Sequence, residues 1–282
     1  MSTPERCLYT LIHAAQERHD ALLLALVHPV VESIRAHPDL QSLFFARYNQ
    51  PDWQLRFRVL GTPDWVEGPV RAAVQARLPG LRAEGLLESW EFATYQREWE
   101  RYGGEGGMRL CEQVFLHDSL ACLDLLHAES LGTLETNRRE YALVFTERFL
   151  DLLGLNREGR LAVYQKAFGW AIEEGDWSEA DRTLLEERYR AVRDGLSDLV
   201  RAEAHPIARR CLAACRPTVH ALRDGLRDGS VQQDPTHLAW SLTHMHCNRI
   251  GLDIHAEAVL RYFAWRLTQD EAVPLGIGEE TE

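Results

Sequence analysis

The stretch LFFARYNQPDWQLRFRVLG, residues 43–61, decides the fold class. Two short runs in it, 43–48 and 53–61, alternate apolar with polar residues, and the NQPD between them has turn chemistry. Successive side chains of a strand point to opposite faces. Trp53, Leu55, Phe57 and Val59 therefore share one face, and Arg56 and Arg58 share the other. The pattern predicts an antiparallel hairpin with one apolar face. Upstream, CLYTLIHA (7–14) reads as another strand, and 19–36 reads as a helix carrying a proline near its middle. Downstream, LLESWEFATY (86–95) alternates less cleanly and reads as a further strand of the same sheet.

From about residue 106 the period changes. Apolar residues recur at three-and-four spacing over 107–127, 135–154, 161–175, 178–204, about 205–228, and in two helices between 235 and 268. Gly154, Gly175 and Gly251 sit where helix stops belong. The expected fold is α+β: a small antiparallel sheet in the N-terminal part, packed on a predominantly helical body. One domain is expected over 1–269, followed by a polar, acidic tail, 270–282, that reads as disordered.

Composition narrows the function classes. The chain has 282 residues and a formal net charge of −12, with 45% hydrophobic and 26% charged residues. Nucleic-acid binding draws on clustered Lys and Arg, and no basic stripe shows in the sequence, so direct contact with nucleic acid is not expected. No apolar run reaches the roughly 18 residues of a membrane span, and MSTPERCLYT lacks the basic and apolar regions of a signal peptide. The six cysteines include no C-x-x-C pair; Cys211 and Cys215, four apart, would share a helix face. Reduced, buried thiols in a cytoplasmic protein are the expectation.

A few polar residues break the pattern. Arg56 and Arg58, two apart on one strand face, lie roughly 6.5–7 Å from each other, a spacing at which two guanidiniums suit a dicarboxylate. The same pair also fits a solvated strand face. In TYQREWERYGGEGG (94–107), Tyr95, Glu98, Arg101 and Tyr102 fall around one tight loop or helical turn. Asp118 interrupts the apolar stripe 111, 114, 115, 122, 125, and a carboxylate there needs a partner such as an arginine. In HMHCNRI (244–250), Asp234-Pro235 marks the helix start. His244 and Asn248 then share a face, whereas His246 lies about 200° round the helix from His244. Metal ligation from one helix favours histidines four apart, so a metal site is not expected here. A single histidine acting as acid or base is a better use of the segment than a metal site, and a hydrogen-bonded core histidine, ordinarily the commoner case, fits it as well.

The order of these blocks along the chain carries a resemblance. FFARYNQPDWQLRFRVLG (44–61), TYQREWERYGG (94–104), FLHDS (115–119) and HMHCNRI (244–250) resemble the C-terminal, glutamate-eliminating domain of the lantibiotic dehydratases, also described as the thiopeptide-type bacteriocin biosynthesis domain. The resemblance spans about 7 to 268. Gln54 stands where the family often has His, and Arg97 where it often has Pro. The family's large members carry an N-terminal glutamylation domain, and this chain reads as a stand-alone copy without one.

The resemblance implies a lyase of ribosomal-peptide natural-product biosynthesis. A Ser or Thr of a precursor peptide, esterified with glutamate from glutamyl-tRNA by a separate protein, would lose its α-proton and expel glutamate to leave a dehydroamino acid. Arg56, Arg58 and Arg101 would bind glutamate, Glu98 would orient Arg101, and His244 would be the acid or base, with His246 the second candidate. Tyr95, Asp118, Asn248 and Arg249 would support the site. No metal or organic cofactor is implied. The expected partners are the glutamylated precursor peptide and the tRNA-dependent glutamylating protein. Two other readings stay open: a pyridine synthase joining two dehydroalanines by a formal [4+2] aza-cycloaddition with loss of the leader, and a non-catalytic peptide-binding subunit.

Overall fold

The computed structural model describes residues 5–175 and 177–270. Of the tail expected to be disordered, only Asp270 falls within these residues, and it ends the last helix; 271–282 lie outside them.

Strands β1 (Arg6–His13), β2 (Leu40–Tyr48), β3 (Gln54–Gly61) and β4 (Ser89–Ala93) form one antiparallel sheet in the order β2-β3-β1-β4. The hairpin pairs Phe45 with Phe57 and Tyr48 with Gln54, with a register irregularity between Leu40 and Ser42. β1 inserts between β3 and β4, opposite residues being Thr10 and Phe57, and Tyr9 and Ala93. Residues directly opposite one another share a sheet face. The face with Leu55, Phe57 and Val59 therefore also carries Leu8, Ile12, Leu43 and Phe45, all of them buried. Trp53 falls just outside β3 and is 37% exposed, so it does not extend that face.

A helix over 19–34, α1, contains a π-helical turn at Leu23–Val27. A second helical stretch, α2, runs from 63 to 75 with Pro69 inside a π turn, and α3 (Leu78–Ala83) follows. Residues 62–83 show no clear helical period in the sequence, because Gly68, Pro69, Pro79 and Gly80 interrupt it. The body consists of α4 (Gly104–Ser130), α5 (Arg138–Leu152), α6 (Arg157–Gly175), α7 (Glu179–Arg201), α8 (Pro206–Asp228), α9 (Pro235–Ile250) and α10 (Ile254–Asp270). Each matches an expected helix to within a few residues.

α9 is the central helix of the body. It touches α4, α5 and α6 and also the edge strand β2. Its start is set by Asp234, whose side chain accepts the His237 amide at 2.8 Å, with Pro235 in the first turn. It stops at Gly251, where φ is +83° and a residue with a β-carbon would be strained. Leu238, Ala239, Leu242, Cys247 and Ile250 are buried along it.

The loop before α4 is equally constrained. Gly104 donates its amide to the Trp99 carbonyl at 2.8 Å, and Tyr102 donates to Glu98 at 3.3 Å, which folds 98–104 into a compact turn. A β-carbon on Gly107 would sit 2.0 Å from the Tyr102 carbonyl oxygen. Gly107→Ala is expected to destabilise the protein by about 1–3 kcal/mol, as overpacking against fixed backbone does. Urea denaturation checks this, and unchanged stability would show that the turn yields.

Candidate functional site

A cleft of about 890 Å³ opens where the hairpin turn meets α9 and the start of α10. Arg47, Tyr48, Arg101, Trp170, Trp240, His244, Asn248 and Glu257 are among the residues lining it. His244 and Asn248 do share a face, as their spacing predicts, and both reach this cleft. His244 is flanked by Trp170, edge-on at 4.6 Å, and by Trp240 at 6.1 Å between ring centroids. Its Nδ1 lies 2.9 Å from Glu257 Oε2. The other oxygen of that carboxylate accepts from Arg261 Nη2 at 3.1 Å.

Arg101 faces the same space. Its Nη1 donates to Glu98 at 3.0 Å and its Nε to Ser241 Oγ at 3.3 Å. Burial would lower the Arg101 pKa, but Tyr102 and Glu98 beside it raise it overall. Tyr48 is also close enough to contribute. Arg56 lies over the Tyr48 ring at 3.5 Å and reaches the Gln50 carbonyl at 3.4 Å. Arg56 is itself not among the residues lining the cleft, but Tyr48 and Gln50, which it touches, are; among the described residues no carboxylate pairs with it.

Arg58 is placed differently. It is 9% exposed and packs among the rings of Tyr9 (4.2 Å), Tyr95 (5.0 Å) and Phe44 (5.3 Å). Sheet register explains this, because Tyr9 and Phe44 are its direct neighbours on either side. Arg58 and Tyr95 are thus not among the residues lining the cleft. Burial and the nearby Glu112 push the Tyr95 hydroxyl well above its ordinary pKa.

Asp118, His246 and Arg249 form a separate, buried group. Asp118 accepts from His246 Nδ1 at 2.6 Å and from Arg249 Nη1 at 2.7 Å. Arg249 also donates to the Phe45 carbonyl at 3.1 Å, and His246 stacks on Phe145 at 3.9 Å. None of the three lines the cleft, so α9 does separate its two histidines. The ligand atoms of Asp118, Cys122 and His246 lie within 4.8 Å of one another. The carboxylate there is already neutralised by Arg249, and burial followed by Asp118 raises the Cys122 thiol well above its ordinary pKa, so the donor set suits a hydrogen-bonded core better than a cation.

Several lining residues were not singled out by the sequence reading. Arg47 pairs with Asp20 at 2.7 Å and donates to the Arg249 carbonyl. Trp170, Trp240, Glu257 and Arg261 complete the surroundings of His244. Glu257 and Arg261 had a signal: a charged pair four apart inside the apolar run IHAEAVLRYFAWRL, the kind of interruption that marked Asp118.

Known proteins match this chain. The family described as "Lantibiotic biosynthesis dehydratase C-term" matches residues 8–268. The subtilin biosynthesis protein SpaB of Bacillus subtilis is 25% identical over 162 residues, which make up 57% of this chain and 16% of that protein. The fold resembles the tRNA-dependent lantibiotic dehydratase MibB from Microbispora sp. 107891, with a TM-score of 0.70 and 23% identity over 96% of this chain and 29% of that one. It equally resembles TbtD, the pyridine synthase from thiomuracin biosynthesis, with a TM-score of 0.71 and 18% identity over 94% of this chain and 98% of that one. Among the described residues, no helix is long and apolar enough to cross a membrane.

The buried carboxylates set an acid limit. Burial alone would raise Asp118 and Glu257, but His246 and Arg249 hold the first below its ordinary 3.8, and His244 and Arg261 hold the second below 4.5. Groups depressed in the folded state stabilise it fully above their unfolded values, and that share is lost as pH falls through the folded ones. Stability is therefore expected to fall below about pH 4.5. Asp118→Asn is expected to cost about 3–5 kcal/mol at pH 7, because Arg249 is left buried without its partner. Denaturation across pH checks both, and a cost under about 1 kcal/mol would show that the network is dispensable.

Proposed function

The chain belongs to the lantibiotic biosynthesis dehydratase C-terminal family, and on that premise we propose that it is a lyase eliminating glutamate from glutamylated Ser or Thr of a precursor peptide. The observation that carries the reading is that His244 and Arg101, each held by its own carboxylate, line one cleft.

In this reading the peptide lies across the cleft against Trp170, Trp240 and Tyr48. Arg101 and Arg56 meet the carboxylates of the glutamyl group. His244 takes the α-proton of the esterified residue, the electron pair forms the Cα–Cβ double bond, and the Cβ–O bond breaks. The departing glutamate takes up negative charge beside Arg101, which is where a fixed guanidinium stabilises the transition state more than the ground state. Arg58, from its aromatic cage, sets the position of Tyr95 and the strand beside Arg56. Asp118, His246, Asn248 and Arg249 hold the helix that carries His244. Proton transfer is all the chemistry demands, so no metal or organic cofactor enters. The reading entails a supply of glutamylated peptide from a separate tRNA-dependent glutamylating protein, and a cytoplasmic setting.

A second reading has its own support in the fold's equal likeness to a pyridine synthase. There the same cleft would join two dehydroalanines and hold no glutamate. Arg101 at the cleft, paired with Glu98, and the unpaired Arg56 stacked on the cleft residue Tyr48 favour the first reading. They also argue against a peptide-binding subunit without chemistry.

Incubating the purified protein with a glutamylated precursor peptide and following its mass tests the proposal. Loss of glutamate with formation of dehydroalanine or dehydrobutyrine is expected. Persistence of the ester, with ring formation from a peptide already bearing dehydroalanines, would establish the second reading instead. His244→Ala and Arg101→Ala are each expected to keep the fold and lose turnover, the arginine variant by about 10²–10³-fold at least. Glutamylated peptide then accumulates in a reconstituted reaction. Wild-type rates in either variant would sink the assignment.

A further inference from the structure

We propose that Glu257 and Arg261 together fix the tautomer of His244, so that Nδ1 carries the proton and Nε2 presents a lone pair to the cleft. Only the catalytic arm of the test below rests on the elimination reading.

Glu257 stands on α10, with its side chain 3% exposed, between two donors. Its Oε2 faces His244 Nδ1 at 2.9 Å, and its Oε1 takes Arg261 Nη2 at 3.1 Å and Nε at 3.3 Å. The two residues are one helical turn apart, and Arg261 is fully buried. His244 and Arg261 keep the carboxyl ionised despite its burial. An ionised carboxylate only accepts hydrogen bonds, so Nδ1 of His244 must be the donor. A neutral imidazole has one ring proton, which leaves Nε2 bare. Nε2 has no partner among the described residues and is not among the side-chain atoms sealed off from solvent. Trp170 and Trp240 restrain the plane of the ring.

Arg261 makes the arrangement directional. A guanidinium has donors only, so it demands an oxygen from whatever stands at 257. In Glu257→Gln the amide oxygen goes to Arg261, and the NH₂ is left facing His244. Two donors cannot face each other, so the imidazole moves its proton to Nε2 and the lone pair in the cleft disappears. Arg261 thus prevents the one amide orientation that would preserve the native tautomer. Adding Arg261→Met frees the amide to turn its oxygen toward His244. The double variant should therefore regain the native tautomer, whereas a purely structural role for Glu257 makes the double variant worse than the single.

The experiment is ¹H–¹⁵N correlation NMR of histidine-labelled protein, recorded at a pH where the ring ¹⁵N shifts of His244 themselves show the neutral form. His244 is expected as the Nδ1–H form in the wild type, Nε2–H in Glu257→Gln, and Nδ1–H again in Glu257→Gln/Arg261→Met. An Nε2–H wild type would overturn the proposal, and so would a Glu257→Gln protein with an unchanged tautomer. The wild-type spectrum decides on its own if a variant does not fold. In the kinetic arm, the amide swap is expected to lower kcat for the glutamylated peptide by about 10³–10⁴-fold with KM little changed, since a wrong tautomer costs about 10⁴ in a serine-protease triad. The double variant is expected to recover at least about tenfold. If the tautomers behave as stated and the wild type eliminates no glutamate, the functional reading fails and the positioning role stands. If the wild type eliminates glutamate with His244 in the Nε2–H form, the positioning role fails and the functional reading stands.

Discussion

The structure depends on how the exposed edge of β2 is closed. An edge strand leaves a row of unpaired amides and carbonyls that must be capped or left to water. Here helical side chains substitute for the missing strand. Asn248 accepts the Arg47 amide at 2.9 Å and donates to the Arg47 carbonyl at 2.7 Å, as a paired strand residue would. Arg249 takes the Phe45 carbonyl, and the Ser119 hydroxyl lies 3.4 Å from the Phe45 amide. Arg249 is held in turn by Asp118. Sheet and helical body are thereby locked in one register, and buried hydrogen bonds of this kind are costly to leave unmade.

That lock places the cleft. With Asn248 tied to Arg47, the hairpin turn carrying Tyr48 comes over the face of α9 that holds His244. Arg47 then bridges Asp20 and the Arg249 carbonyl, and Arg138 closes the far end by donating to the Ile250 carbonyl at 2.9 Å and pairing with Asp20. His246 and Arg249 meet Asp118 of α4 in the buried interior, whereas the face that carries His244 toward the cleft also carries Asn248, which ties it to the hairpin.

The parts of this that were legible in the sequence are those set by local periodicity. Alternation gave the hairpin, Asp234-Pro235 and Gly251 bounded α9, and three-residue spacing paired Glu98 with Arg101. The charged interruption at Asp118 pointed to a buried arginine partner. What escaped depends on elements distant in the chain. The spacing of Arg56 and Arg58 says nothing of Tyr9 and Phe44, which the sheet register sets beside Arg58 and which remove it from the cleft. Arg47 looks like any polar strand residue until Asp20 and the end of α9 surround it. The helical stretches within 62–83 escaped because prolines and glycines break the period there. Glu257 and Arg261 needed α10 to be placed against α9 before their link to His244 became visible.

In the proposed elimination this cleft receives a glutamyl group, with Arg101 and Arg56 on its carboxylates and His244 at the reacting carbon. A crystal structure with an unreactive peptide, its glutamate joined through an amide in place of the ester, tests it most directly. A carboxylate is expected within hydrogen-bonding distance of Arg101 or Arg56, and His244 Nε2 about 3–3.5 Å from the α-carbon, a reactive approach distance. A glutamyl group lying outside the cleft, or one whose carboxylates meet neither arginine, would contradict it.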